Sequence, residues 1–98
     1  TPIADRVSRR VSEILRRRGR PALEVRVVVG DTNGPRGGDD KYCVMLARLD
    51  GRDVRAERVD ANLYVAIDQC SRRLDRSLRE VIARRRLGRR VHHEKGPA

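Results

Sequence analysis

Arg72, Arg76 and Arg79 stand at i, i+4 and i+7 in "CSRRLDRSLRE", a spacing that puts three guanidinium groups on one face of a helix. Arg73 lies beside them, and Arg84, Arg85 and Arg86 extend the run. A guanidinium is a permanently charged planar fork of donors that fits phosphate oxygens two at a time, so the chemistry on offer is phosphate recognition. Other reactive residue types are poorly placed for chemistry. Cys43 and Cys70 lie in apolar patterns and read as reduced, buried small hydrophobes. Neither is set up as a nucleophile beside a base and an orienting group. His92 and His93 are adjacent and have no further ligands around them, so they define no metal site. Asp39-Asp40 fits a solvated turn. The glycines of "GDTNGPRGGDD" (30–40) lack the Lys-Ser/Thr of a phosphate-binding loop, and no helix follows them. The sequence therefore shows no catalytic constellation, no metal site and no cofactor, and reads as a non-enzyme.

Charge supports the arginine reading. The chain has 98 residues, with 24 Lys+Arg against 14 Asp+Glu and a net charge of +10. Only Lys41 and Lys95 are lysines, so the excess is arginine. It is also unevenly spread. Residues 1–20 hold seven arginines against Asp5 and Glu13, and residues 60–98 hold ten basic residues against five acidic ones. The segment between them is neutral. Such a balance in a small domain predicts attraction to a polyanion. With Tyr42 and Tyr64 as the only aromatics, little points to base stacking on a sheet, and contacts should go mainly to phosphate and ribose. Composition does not separate RNA from DNA. No apolar run approaches the roughly 18–20 residues that span a bilayer, and no signal peptide opens the sequence, which predicts a cytoplasmic protein without a membrane partner.

The elements that carry these residues can be read from periodicity. Thr1 caps a first helix with Pro2 at its first position. Ile3, Val7, Val11, Ile14 and Leu15 recur at helical spacing, and Gly19 and Pro21 should stop it. Leu23, Val25, Val27 and Val29 alternate as a strand, and residues 30–40 form a loop. Residues 41–49 and 52–59 make two more strands around Asp50-Gly51, a strong hairpin signal. Cys43, Met45, Ala47, Val54 and Ala56 should face inward, leaving Tyr42, Val44 and Leu46 on the other side. A second helix begins at Asp60 or Asn62. Its stripe is Leu63, Ile67, Cys70, Leu74, Leu78 and Val81, with Ala66 and Ile82 beside it. It should end near Arg86, stopped by Gly88. Asp68–Arg72, Asp75–Arg79 and Glu80 with Arg76 or Arg84 are its expected ion pairs.

The order is helix, strand, strand, strand, helix. It predicts an α+β two-layer sandwich, with both helices on one face of a mainly antiparallel sheet. The expected division is a domain at residues 1–87 and a disordered basic tail at 88–98.

The stretch "DANLYVAIDQCSRRLDRSLRE" resembles the segment opening the last helix of the ribosome hibernation-promoting factors, also called ribosome-associated translation inhibitors or sigma-54 modulation proteins. Leu63, Tyr64, Ala66, Ile67 and Asp68 match that pattern, followed by Arg73, Leu74, Arg76 and Leu78. "TPIADRVSRRVSEILRR" resembles the family's Thr-Pro-led first helix, and the resemblance covers about residues 1–86. It implies the order β-α-β-β-β-α; this sequence starts at the helix, either because it is a piece of a longer chain or because the protein lacks the first strand. A sheet without it would show an open edge around Val25 to Val29. The resemblance also implies a factor bound to the small ribosomal subunit, which occupies the mRNA and tRNA channel through 16S rRNA and silences translation under stress or in stationary phase. By position it points to Arg72, Arg73, Arg76 and Arg79, then to Arg84, Arg85 and Arg86, and to Arg6, Arg9 and Arg10 of the first helix.

Two other readings stay open from sequence. One is a general double-stranded RNA or DNA binder with a similar fold. The other is an interaction module that self-associates through the apolar Tyr42/Val44/Leu46 face or the open strand edge. Affinity, oligomeric state, regulation and any role in ribosome dimerisation are not written in the sequence.

Overall fold

The computed structural model describes residues 1–18, 23–32 and 40–95, with side chains as far as Arg85. Five elements follow in the expected order: α1 (Pro2–Arg18), β1 (Leu23–Asp31), β2 (Lys41–Leu49), β3 (Arg52–Asp60) and α2 (Leu63–Lys95). The three strands form one antiparallel sheet in the order β1-β2-β3, and both helices cover a single face. The α+β two-layer sandwich is therefore the fold.

Local signals account for most boundaries. The Thr1 hydroxyl accepts from the Ala4 N–H at 3.1 Å and caps α1. Gly19 and Pro21 lie outside the described residues. The β2–β3 turn places Asp50 at φ 50° and Gly51 at φ 79°, the two left-handed residues that a tight hairpin needs. Asn62 caps α2 by accepting from the Tyr64 N–H at 2.9 Å. Asp60 supports it by accepting from the Asn62 N–H at 2.8 Å. Gly30 and Asp31 belong to β1 rather than to the loop, whose residues 33–39 lie outside the described residues. Lys41 donates to Asp31 at 2.6 Å and draws the loop's two ends together.

The largest departure from the expected boundaries is the end of α2. α2 does not end near Arg86 at Gly88 but keeps its helical backbone to Lys95, about 50 Å at 1.5 Å per residue. An isolated glycine costs a helix only about 1 kcal/mol relative to alanine, and here it is flanked by leucine and arginines, which favour helix. The expected division between 87 and 88 thus falls inside α2.

The core is one seam between α2 and the sheet. Ala66, Ile67, Cys70, Leu74, Leu78 and Val81 of α2 are buried against Cys43, Met45, Ala47, Leu49, Val54 and Ala56. Every inward residue named from alternation is among them. α1 is held less deeply. Ile14 is its one buried residue, Ile3 and Val7 are partly covered, and Leu15 is exposed. The cause is its position beside α2 near β1, one of the sheet's two edge strands among the described residues.

The opposite face of the sheet is uncovered by any described residue. Val28, Leu46 and Val59 are 44 %, 36 % and 47 % exposed there, with Val44 half-buried between them. Tyr42 lays its ring over Gly30, its cross-strand partner, so that a Cβ at Gly30 would overlap the ring.

With no Phe or Trp, the core depends on aliphatic packing along α2. Leu74→Ala should lower unfolding stability by about 2–5 kcal/mol, read from denaturant midpoints at unchanged slope. Leu15→Ala, on the exposed side of α1, should change it by less than about 1 kcal/mol.

Candidate nucleic-acid interface

α1 and α2 lie side by side, and the first consequence overturns a sequence expectation. Asp68 and Asp75 form none of the intrahelical pairs expected with Arg72 and Arg79. They turn to α1 instead. Asp68 accepts from Arg6 Nη1 at 2.8 Å and from Arg10 Nε at 2.9 Å. Asp75 accepts from Arg18 Nε at 2.9 Å and from Arg17 Nη1 at 3.4 Å. Glu13 accepts from the other side of Arg10 at 3.3 Å, and the Arg6 guanidinium sits 5.0 Å from the centre of the Tyr64 ring. An arginine from the neighbouring helix reaches each aspartate in a half-shielded seam, where a charged hydrogen bond is stronger than on an open helix face.

These pairs set the carboxyl groups' titration. Burial pulls Asp68 up, but hydrogen bonds and charge from Arg10 and Arg6 outweigh it, and the net result lies below the ordinary carboxylate value. Asp75 is held low by its hydrogen bond from Arg18, against burial, with the charges of Arg18 and Arg17 adding.

Because the aspartates are occupied on the α1 side, Arg72, Arg73, Arg76 and Arg79 have no ion pair among the described residues, and all four are exposed. Between the helices runs an open groove of about 430 Å³. Arg72, Arg76 and Arg79 line one wall and Arg10 and Arg17 the other; Ile14, Ser71 and the carboxylates of Glu13 and Asp75, both paired with α1 arginines, complete its lining. The Ser71 hydroxyl is spent on the Asp68 carbonyl at 2.8 Å, so the groove's free donors are guanidinium groups. A groove with this lining can offer an anion paired N–H donors and positive charge.

The other predicted residues scatter. Arg73 is exposed outside the groove. Arg9 is exposed on α1 without an ion pair among the described residues. Arg6 and Arg10 are engaged with Asp68. Arg84 lies on the far flank of α2, in a second groove of about 530 Å³ against β3, where Arg52 and Arg55 join it but Asp53 and Glu80 dilute the charge. Arg85 is anchored to Asp50 of the hairpin at 2.6 Å. The Arg86 side chain lies outside the described residues. Sequence reasoning missed Arg17 as a groove residue, although it falls seven positions after Arg10 and so on the same face of α1. Arg52 and Arg55 carried no signal, since their place depends on where α2 crosses β3.

The thiols are sealed. Cys43 and Cys70 are free and 0 % exposed. The Cys70 thiol lies 3.4 Å from the carbonyl oxygens of Cys43 and Ala56, within hydrogen-bonding distance of both. Its hydrogen bond with Cys70, then burial, drives the Cys43 thiol upward. Among the described residues no cluster of three metal-ligating side chains occurs, and no helix is long and apolar enough to cross a membrane.

The geometry is that of a small α+β domain with an arginine-lined groove between its two helices. The chain matches the family described as Sigma 54 modulation protein / S30EA ribosomal protein over residues 1–86, and it belongs to that family. The family is one of ribosome-associated modulators. A comparison with curated proteins finds no match.

The seam's pH response follows from the two lowered carboxyl groups. A carboxyl with a lowered folded pKa stabilises the fold above its unfolded value, near 3.9, and loses that contribution as pH falls through the folded value. Amide exchange in α1 should therefore stay constant from pH 7 to about pH 5, after correction for intrinsic rates. Below about pH 4 it should rise in α1 before it rises in α2. Release of α1 already near pH 6 would contradict the assignment.

Proposed function

We propose that this chain binds the small ribosomal subunit and holds translation in check by occupancy, through arginine contacts to 16S rRNA. The observation that carries the reading is the interhelical groove. It gathers Arg10, Arg17, Arg72, Arg76 and Arg79, with the α2 arginines free of ion pairs among the described residues, in a member of a ribosome-associated family. Contacts go to phosphate and ribose, so the protein reads the shape of folded RNA rather than a base sequence. On this reading the body blocks the mRNA and tRNA channel under stress or in stationary phase. It works in the cytoplasm and needs no cofactor and no catalysis.

Reversing Arg72, Arg73, Arg76 and Arg79 to Glu should abolish co-sedimentation with small subunits while leaving the thermal transition cooperative, because the buried stripe is untouched. Wild-type affinity should fall roughly 10²-fold between 50 and 200 mM salt if about four phosphates are contacted. Retention of wild-type co-sedimentation by the reversed protein would show that another face binds. A general duplex binder is the competing reading. Excess duplex RNA at matched salt should fail to displace the chain from intact small subunits, and ready displacement would favour that alternative.

A second reading rests on a separate observation, the uncovered sheet face. Its charged residues Glu24, Arg26, Arg48, Asp53, Arg55 and Glu57 balance, so it is the neutral side of a strongly basic protein. Two copies repel least there, and Leu46, Val28 and Val59 supply apolar contact. Light scattering across a concentration series should show mass rising above the monomer, and Leu46→Glu should suppress it. A monomer at every concentration removes this reading.

A further inference from the structure

Acidic residues on an RNA-facing helix ordinarily oppose binding by their charge. Asp68 and Asp75 have a different geometry from a diluting charge. They stand seven residues apart, two turns along the same side of α2, and each accepts from two guanidinium groups that all come from α1. One pair of donors, Arg6 and Arg10, lies in the first half of α1, and the other, Arg17 and Arg18, at its end. The two attachments therefore fix α1 in both position and direction. Little else does. Ile14 is the one buried side chain of α1, Ile3 and Val7 are only partly covered, and β1 is the strand it meets most among the described residues.

Arg10 and Arg17 are also groove residues. The same contacts that hold α1 in place keep these two guanidinium groups on the groove wall opposite Arg72, Arg76 and Arg79. We propose that Asp68 and Asp75 are positioning residues for polyanion binding: they strengthen it by fixing the α1 wall of the groove, against the sign of their own charge. This inference rests on the reading that the groove binds RNA, and it assigns a role that charge alone would invert.

The inversion makes the test decisive. Asp68→Asn, Asp75→Asn and Glu80→Gln each remove one negative charge from α2. Glu80 is exposed and has no ion pair among the described residues, so its variant reports the bare charge effect. Binding of the full chain to small ribosomal subunits is measured by co-sedimentation over a salt series, with fluorescence polarisation on structured RNA in parallel. Glu80→Gln should bind as tightly as wild type or tighter. Asp68→Asn and Asp75→Asn should each weaken binding by about five-fold and together more, with a shallower salt slope from lost phosphate contacts. Asp68→Glu and Asp75→Glu keep the charge and the acceptor and should recover most of the affinity. Hydrogen exchange keeps the result readable if stability falls: amides of α1 should open in the Asn variants while α2 and the sheet stay protected. If the Asn variants bind as Glu80→Gln does, the positioning role is overturned and the groove reading stands. If wild type binds neither subunits nor RNA, both are overturned. If α1 stays protected in the Asn variants, the aspartates do not fix it, and the proposal fails on that ground alone.

Discussion

Two helices that each carry an excess of arginine have to lie side by side in this fold, and their mutual repulsion is the constraint that the rest of the structure answers. The sheet answers part of it by burying the α2 stripe so completely that α2 has no freedom to turn away. Asp68 and Asp75 answer the remainder. They sit at the boundary between the helices, where each is flanked by guanidinium groups of α1 at 2.8–3.4 Å. Once the repulsion is met along that line, the remaining arginines of α2 need no partners of their own and stay open to solvent. The groove is the geometric residue of this arrangement, a place where five arginines gather against two carboxylates, so that the positive charge is only partly neutralised.

The fold was largely legible because its signals are local. Thr1 and Asn62 cap through their own neighbours, Asp50-Gly51 turns through its own dihedral angles, and alternation in 41–49 places Cys43, Met45 and Ala47 inward regardless of what covers them. The site was legible only in part. That Arg72, Arg76 and Arg79 share a face follows from 3.6 residues per turn. That Asp68 chooses Arg10 over Arg72 does not, because both arginines are within reach of an aspartate and the choice is made by which one meets it in the more shielded seam. The tie between Arg85 and Asp50 was hidden for the same reason, since it joins residues 35 positions apart. Gly88 misled because a weak penalty was read as a stop.

The "LYVAID" stretch illustrates how one short segment does several jobs. Ile67 and Ala66 enter the core, Tyr64 receives the Arg6 guanidinium on its ring, and Asp68 binds Arg6 and Arg10. None of these four residues lines the groove, yet Tyr64 and Asp68 both engage α1, which forms one of its walls. This part of the segment that carries the family resemblance is thus architectural, and the arginines that follow it are the ones left exposed. The division between a basic helical side and a neutral sheet side also gives the molecule a preferred orientation in the field of a large polyanion.

Cys43 and Cys70 add a property that has nothing to do with RNA. They are the only thiols in the chain and lie where α2 meets the sheet, wholly screened from water. A thiol reagent can reach them only when that layer parts. Their alkylation rate therefore clocks the opening of the core, independently of any motion of α1, and turns two inert side chains into an internal gauge of how often the two layers separate.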